Sequence, residues 1–335
     1  MKRKIPATVI TGFLGAGKTT LVRHLLANNK GRRIALIVNE FGDMGVDGEL
    51  LAACGVEGCR EDDIIELANG CLCCTVADEF LPTIAALLDR AEPPEHIIIE
   101  TSGLALPKPL VKAFHWPEIR SRVTVDGVVA VVDAPAAASG RFASTPEEMA
   151  RPDHDNPLEE VFEDQLACAD MVLLNKSDLM EKADLAALLA DITGRLRRGV
   201  KALPTHMAEV DPLVVLGLSA AAEDDLAARP SCHDLEDGHD HDDFESFAIE
   251  LPTIADPAAL ETRLVAAIAA HDILRLKGFL EVTAKDARHV VQAVGTRVER
   301  YFDRPWKPGE ARTSTLVVIG QKGLDRVAIE AMVRG

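Results

Sequence analysis

Residues 12–19 read Gly12-Phe13-Leu14-Gly15-Ala16-Gly17-Lys18-Thr19, the G-x-x-x-x-G-K-T phosphate-binding pattern. An apolar run at 7–11 precedes this stretch, and the apolar positions that follow it repeat with helical spacing. Glycines let such a loop curl so that its backbone N–H groups point inward and form an anion site at a helix N-terminus. Because strand–loop–helix context is what confirms this motif, the stretch predicts a P-loop nucleotide-binding domain.

The phosphate loop predicts a set of nucleotide contacts, namely Gly12, Gly15, Ala16, Gly17, Lys18, Thr19 and Thr20. Lys18 is expected to reach the β- and γ-phosphates, and the Thr19 hydroxyl is expected to bind Mg²⁺. Glu100 ends an apolar run at 97–100, where such proteins place a Mg²⁺-linked acid, and Gly103 follows where a glycine can sense the γ-phosphate. We therefore predict Lys18, Thr19 and Glu100 as catalytic. The alternative for Glu100 and Gly103 is a strand-terminal acid and a turn glycine without these roles.

A second motif concerns the choice of base. Residues 175–178 read Asn175-Lys176-Ser177-Asp178 and follow the apolar run 171–174. Asp178 can accept hydrogen bonds from both N1–H and the 2-amino group of guanine, whereas adenine would leave the carboxylate unpaired. A four-residue pattern of this kind is usually a polar loop when it stands alone. In a P-loop domain it predicts GTP as the nucleotide, with Asn175, Lys176 and Asp178 at the base site.

The order of apolar runs indicates the fold. Continuous β-branched runs alternate with helical patterns and lie at 7–11, 34–38, 64–67, 97–100, 128–132 and 171–174. This alternation predicts a doubly wound, mostly parallel α/β sheet. Together with the two nucleotide motifs, it predicts a P-loop GTPase domain over residues 1–222. Residues 223–245 contain ten acids and a single basic residue, so we expect an acidic, histidine-containing linker. The strand and helix patterns beyond it predict a smaller α+β domain over residues 246–335.

Charge and cysteine content exclude several classes of protein. The formal net charge of −18 argues against a nucleic-acid partner, because phosphate binding needs clustered Lys and Arg. No uncharged apolar run reaches the roughly 18 residues that a membrane helix requires, so no membrane association is expected. Seven cysteines, an odd number, in a large nucleotide-binding chain indicate free thiols or metal ligands and a cytoplasmic location.

Cys71, Cys73 and Cys74 fall within four residues and predict a metal site. Thiolates suit borderline-soft divalent ions, and three of them can occupy three corners of a tetrahedron while the fourth stays open. A disulfide between such close cysteines would be strained, and inert buried thiols are the remaining alternative. Glu40, in the switch-like stretch after the second strand, is a further candidate ligand for Mg²⁺ or the thiolate-bound ion, unless that stretch is simply a solvated acidic loop. Cys168 lies on an apolar helix face and is expected to have a core or loop role rather than to bind metal.

Two histidines of the acidic linker, His239 and His241, are candidates for an accessory metal site. Cys232, His233 and several acids lie close to them in the sequence. An exposed acidic linker with incidental histidines explains the same residues, so both interpretations stay open.

The chain resembles CobW-type GTPases through five motifs: residues 12–20, 39–42, 69–75, 100–105 and 175–178. The stretch 275–279, Arg-Leu-Lys-Gly-Phe, is similar to the C-terminal domain of that family. The resemblance implies a cytoplasmic GTP-dependent metallochaperone that holds Zn²⁺ or Co²⁺ on the C-x-C-C thiols beside Mg²⁺-GTP, with Thr75 and Val76 also facing the nucleotide. Residues 42–48 and 103–110 look closest to the members associated with aerobic cobalamin synthesis, which implies cobalt supply to a cobaltochelatase.

The function predicted from these features is GTP hydrolysis coupled to delivery of a metal ion to a client protein. Since Leu104 stands where some GTPases carry a water-orienting Gln, slow unaided hydrolysis is expected. The chain is expected to be a monomer or a dimer that forms with GTP or metal. The alternatives are a zinc chaperone of the same family, a metal buffer or sensor in which GTP is structural, and a signalling GTPase with an incidental structural zinc.

Overall fold

The chain divides into two units, one containing the phosphate loop and one containing the C-terminal residues. A computed structural model describes residues 4–29, 31–39, 64–67, 80–140, 157–231, 244–271, 273–294, 297–307 and 309–335. The described part of the first unit ends at residue 231, and that of the second begins at residue 244.

Seven parallel strands form the sheet of the first unit, as far as the described residues show. They are β1 (Ile5–Thr11), β2 (Ile34–Asn39), β3 (Ile64–Leu67), β4 (His96–Glu100), β5 (Val123–Asp133), β6 (Met171–Asn175) and β7 (Lys201–Pro204). Their order across the sheet is β3-β2-β4-β1-β5-β6-β7. The central strands are buried on both faces because helices cover both sides, which explains their continuous apolar sequences. The predicted doubly wound α/β fold is confirmed.

Helices connect these strands, and prolines and a capping aspartate mark the starts of several of them. They are α1 (Lys18–Ala27), α2 (Leu81–Leu88), α3 (Pro107–Ala113), α4 (Ala134–Ala138), α5 (Pro157–Cys168), α6 (Lys182–Arg195) and α7 (Pro212–Val215). Several of them carry proline in the first turn, where the missing N–H has no intrahelical partner to lose. Asp133 caps α4 by accepting from the Ala136 N–H.

The strand order places the predicted nucleotide residues at one edge of the sheet. β1 lies between β4 and β5, and Ile10 is paired with Glu100 across the β1–β4 ladder. Asp133 at the end of β5 is paired with Asn175 at the end of β6. The carboxyl ends of these four parallel strands therefore meet beside the phosphate loop, which is where α/β folds bind ligands.

The interval predicted as a linker is partly folded. A 3₁₀ segment, Ala222–Ala228, belongs to the first unit, and the Glu223 carboxylate accepts from the Val125 N–H at 2.8 Å. Arg229 is buried and donates to Asp170 at 2.7 Å. Residues 223–231 are thus part of the first unit rather than linker, because a buried hydrogen-bonded carboxylate and a buried ion pair hold this acidic sequence against the domain.

In the described part of the second unit, five strands form an antiparallel sheet in the order β11-β10-β9-β12-β8. Its elements are β8 (Phe244–Leu251), α8 (Pro257–His271), β9 (Arg275–Leu280), β10 (Ala287–Val294), β11 (Arg297–Pro305), β12 (Ser314–Gln321) and α9 (Arg326–Arg334). Leu264 of α8 and Ile329 of α9 share one apolar core with Leu276 of β9. This arrangement confirms the predicted α+β pattern, although β8 begins inside the interval predicted as linker.

Candidate nucleotide-binding site

The phosphate loop has a shape that only glycine permits at two positions. Gly12 has φ +137°, and a Cβ atom there would lie 2.1 Å from the Val131 carbonyl oxygen of β5. Gly17 has φ +108°, and a Cβ atom there would lie 2.3 Å from the Asn175 amide nitrogen. The loop therefore packs against β5 and against the predicted base-recognition motif, leaving no room for a side chain at either glycine.

Lys18, the first residue of α1, lies over the backbone of its own loop. Its ammonium donates to the Gly12 carbonyl at 2.8 Å and to the Phe13 carbonyl at 3.3 Å. The side chain is buried. A cation held in this position can stabilise an anion bound by backbone N–H groups of the loop.

Thr19 and Glu100 come together although 81 positions separate them in the sequence. The Thr19 hydroxyl donates to Glu100 Oε1 at 2.8 Å, and Glu100 is buried at the end of β4. A hydroxyl and a carboxylate oxygen side by side are the hard ligands that Mg²⁺ prefers, so this pair fits the ion. The neighbouring strand ends are tied as well, since the Thr101 hydroxyl donates to the Thr11 hydroxyl at 3.1 Å.

Gly103 lies directly against the phosphate loop. A Cβ atom there would lie 2.8 Å from the Leu14 amide nitrogen, so the approach requires glycine. The buried Gln165 side chain of α5 donates from Nε2 to the Gly103 carbonyl at 3.2 Å and to the Ala105 carbonyl at 3.3 Å. Gln165 was not predicted as a site residue, because no local sequence pattern distinguishes it from other polar helix residues.

Asn175 and Lys176 connect the predicted base-recognition motif to the phosphate loop. Asn175 Nδ2 donates to the Ala16 carbonyl at 2.8 Å, and Lys176 Nζ donates to the Gly15 carbonyl at 2.7 Å. Lys176 also pairs with Asp133 at 2.8 Å, and its own φ of 63° is left-handed. Hydrogen bonds therefore connect the base-recognition motif directly to the phosphate loop.

Asp178 is half-exposed and has a partner, His206, that no sequence motif indicates. His206, which follows β7, places Nδ1 2.8 Å from Asp178 Oδ1. This hydrogen bond is the main reason why the pKa of Asp178 lies below its ordinary value. Asp178 is therefore an ionised hydrogen-bond acceptor at neutral pH.

Several predicted site residues lie outside the described part of the chain: Glu40, Cys71, Cys73, Cys74, Thr75, Val76, His239 and His241. Among the residues that are described, no group of three or more His, Cys, Asp or Glu side chains could hold a metal ion. Cys168 is buried in the core, and burial raises the pKa of its thiol to about 11. No helix within the described ranges combines the length and apolar character needed to cross a membrane.

Fold and site geometry together define a P-loop nucleotide-binding protein with a guanine-type base motif. A family model described as "CobW/HypB/UreG, nucleotide-binding domain" matches residues 6–204. A second, described as "Cobalamin synthesis protein cobW C-terminal domain", matches residues 244–335. The chain belongs to the CobW family.

Similar proteins span nearly the whole chain. The zinc chaperone CobW of Sinorhizobium sp. is 54% identical over 341 residues, covering 98% of this chain and 96% of the relative. The zinc chaperone CobW of Pseudomonas aeruginosa is 51% identical, covering 99% of this chain and 91% of the relative. A crystal structure of Zn(II)-bound YjiA GTPase from E. coli is 23% identical and covers 98% of both chains, with a TM-score of 0.46.

Proposed function

We propose that this protein is a GTP-hydrolysing metallochaperone that takes up a divalent metal ion on Cys71, Cys73 and Cys74 and delivers it to a client protein. Two relatives that are more than half identical carry the name zinc chaperone, which supports Zn²⁺ as the cargo. The second candidate is Co²⁺ delivered to a cobaltochelatase, favoured by the cobalamin-synthesis description of the C-terminal family model.

One observation carries the nucleotide part of this proposal. Asn175 and Lys176 are hydrogen-bonded to the backbone of the phosphate loop, at the Ala16 and Gly15 carbonyls. A base-recognition motif attached in this way can hold a base and the phosphates of a single nucleotide at a fixed separation. In the proposed site Asp178 accepts from the guanine edge, and Lys18 together with the loop N–H groups holds the phosphates.

Thr19 and Glu100 are the proposed Mg²⁺ ligands, with Glu40 as a further one. An ion held by these residues would supply positive charge to offset that of the nucleotide phosphates. The buried contact of Gly103 with Leu14 supports a role for the segment after β4 in sensing the third phosphate. A shift of the phosphate loop would displace this segment directly, because the two are in contact. Thr75 and Val76 are proposed to face the nucleotide from the segment that follows the thiols.

The metal part of the proposal rests on the three closely spaced thiols. A site with three thiolates and an open fourth position can accept an ion and release it, whereas structural zinc sites are usually closed by four protein ligands. His239 and His241 are proposed as an accessory capture site. Free thiols of this kind stay reduced in a cytoplasm, the location we propose.

Nucleotide and metal binding are proposed to be coupled. If GTP favours a metal-competent state, linkage requires the metal to tighten GTP binding by the same factor. Moving a population from 1:99 to 99:1 requires about 5.5 kcal/mol of differential affinity. Contacts of the third phosphate and of Mg²⁺ with the segments at Gly103 and Glu40 would supply that difference.

The test is a competition titration of Zn²⁺ and of Co²⁺ against a chromophoric chelator, with Mg²⁺ and either a non-hydrolysable GTP analogue or GDP. We expect the GTP analogue to tighten metal binding at least tenfold. The triple variant Cys71→Ser/Cys73→Ser/Cys74→Ser should lose that effect while still binding GTP, and Cys168→Ala, which removes a thiol from the core, should keep it. The metal with the larger nucleotide effect is the cargo. Equal metal affinity with both nucleotides would overturn the proposal in favour of a buffer with structural GTP.

A further inference from the structure

The pair formed by Asp178 and His206 is part of the base site but is not explained by the N-K-x-D motif. Their side chains are 39% and 57% exposed, and Nδ1 of His206 lies 2.8 Å from Asp178 Oδ1. An ionised carboxylate only accepts hydrogen bonds, so the imidazole must carry its proton on Nδ1 and donate it. A directed bond between two partly exposed side chains needs a backbone that holds both of them in place.

The backbone around His206 is held by bonds to the base motif itself. The Thr205 N–H donates to the Leu174 carbonyl at 2.8 Å. The Thr205 carbonyl accepts from the Ser177 N–H at 3.1 Å and from the Ser177 hydroxyl at 2.9 Å. On the other side of His206, the Ala208 N–H donates to Asn175 Oδ1 at 2.8 Å. The residues flanking His206 are thus bonded to the motif that contains Asp178.

The same segment adopts unusual backbone angles. Met207 has φ 49° and Ala208 has φ 55°, both in the left-handed region, which residues other than glycine rarely occupy. Such conformations persist where surrounding contacts impose them, and they cluster at ligand sites. Here the imposing contact is the bond from Ala208 to the buried Asn175. The backbone after His206 is thus tied to the base motif, and in this conformation His206 meets Asp178.

Guanine recognition makes a specific demand on Asp178. Its two carboxylate oxygens must accept from N1–H and from the 2-amino group at once, so the plane of the carboxylate must match the plane of the base. Asp178 lies in a short 3₁₀ turn, Ser177–Leu179, and its side chain is partly in solvent. A carboxylate in such a position can rotate unless a bond restrains it. A carboxylate oxygen has more than one lone pair, so Oδ1 can accept from His206 and from the base together.

We propose that His206 is a positioning residue for guanine. By donating to Oδ1 it orients the Asp178 carboxylate so that both oxygens meet the base edge, and it thereby sets the preference for guanine over hypoxanthine, which lacks the 2-amino group. This inference rests on the proposed GTP-binding function and adds a specificity determinant to that site.

The experiment compares GTP with inosine triphosphate, whose base is hypoxanthine, by competition against a fluorescent GTP analogue on the full-length protein. The wild type should prefer GTP at least tenfold, because a hydrogen bond to a charged group contributes about that factor. His206→Ala should lower this preference at least fivefold while changing the affinity for inosine triphosphate less than threefold. If His206 had a merely structural role, His206→Ala would weaken the binding of both nucleotides equally.

Two variants serve as controls. In His206→Asn the amide nitrogen stands the same number of bonds from Cα as the imidazole Nδ1, so this variant should retain the guanine preference within threefold. Met207→Ala changes the exposed neighbour and should leave the preference unchanged. The inference is overturned if His206→Ala keeps the wild-type preference, weakens both nucleotides alike, or tightens both, the last meaning that His206 blocks the site. A wild type that binds no GTP would instead overturn the proposed function.

Discussion

Replacing Asn175 by alanine tests the bonded connection between the base motif and the phosphate loop. Asn175 is buried, donates to the Ala16 carbonyl at 2.8 Å and accepts from the Ala208 N–H at 2.8 Å. Ala16 and Ala208 are themselves fully buried, so Asn175→Ala leaves a carbonyl and an N–H without these partners and out of contact with water. Each buried group that loses its partner costs about 1–3 kcal/mol, and we expect the variant to lose roughly 3 kcal/mol of unfolding free energy.

The assay follows urea unfolding by tryptophan fluorescence in a Trp306→Phe background. The chain has two tryptophans, and this background leaves Trp116, which packs against the core of the first unit, as the reporter. Asn28→Ala is the matched control, because the exposed Asn28 amide donates to the His24 carbonyl at 2.8 Å and water can replace it. We expect the control to cost less than about 1 kcal/mol. Equal costs for the two variants would refute the argument that Asn175 joins the two loops.

Two further predictions concern the phosphate loop and a buried histidine. Gly12→Ala should abolish GTP-analogue binding and lower the unfolding free energy by more than about 2 kcal/mol, because its Cβ would lie 2.1 Å from the Val131 carbonyl oxygen. The control is Gly194→Ala, whose Cβ meets open space in α6, and this variant should be neutral or slightly stabilising in thermal unfolding. Burial lowers the pKa of His96 to about 4 against an ordinary value of 6.5, so the unfolded chain binds more protons between these values and stability should fall as the pH drops from 6.5 towards 4. His96→Gln should flatten this part of the profile of melting temperature against pH, and an unchanged profile would contradict it.

The central strands could be predicted because burial on both faces leaves a direct mark on the sequence. β4 and β6 are continuous apolar runs for that reason. β7 (Lys201–Pro204) was not predicted, because it is short and its residues are only partly buried or exposed. β3 (Ile64–Leu67) lies at the opposite edge of the same sheet but was predicted from its apolar residues. A partly exposed strand such as β7 forms through pairing with its neighbour, and backbone pairing does not require an apolar sequence.

The acidic interval after residue 222 shows that the burial of charged residues is also not predicted by composition. Its composition is typical of a solvated linker, yet Glu223 is buried and accepts from the Val125 N–H. Arg229 is buried as well and pairs with Asp170, 59 positions away. Whether a charge lies in water or in a buried pair depends on partners that are distant in the sequence.

By itself the sequence determined the phosphate loop, the N-K-x-D motif and the order of strands and helices, because each depends on neighbouring residues whose spacing matches a local structure. Only the tertiary structure decided that Asn175 bonds to Ala16 across 159 positions, that Gln165 supports Gly103, and that His206 meets Asp178. These contacts exist because parallel strands bring their carboxyl ends to one edge of the sheet, and no local spacing records which residues meet there.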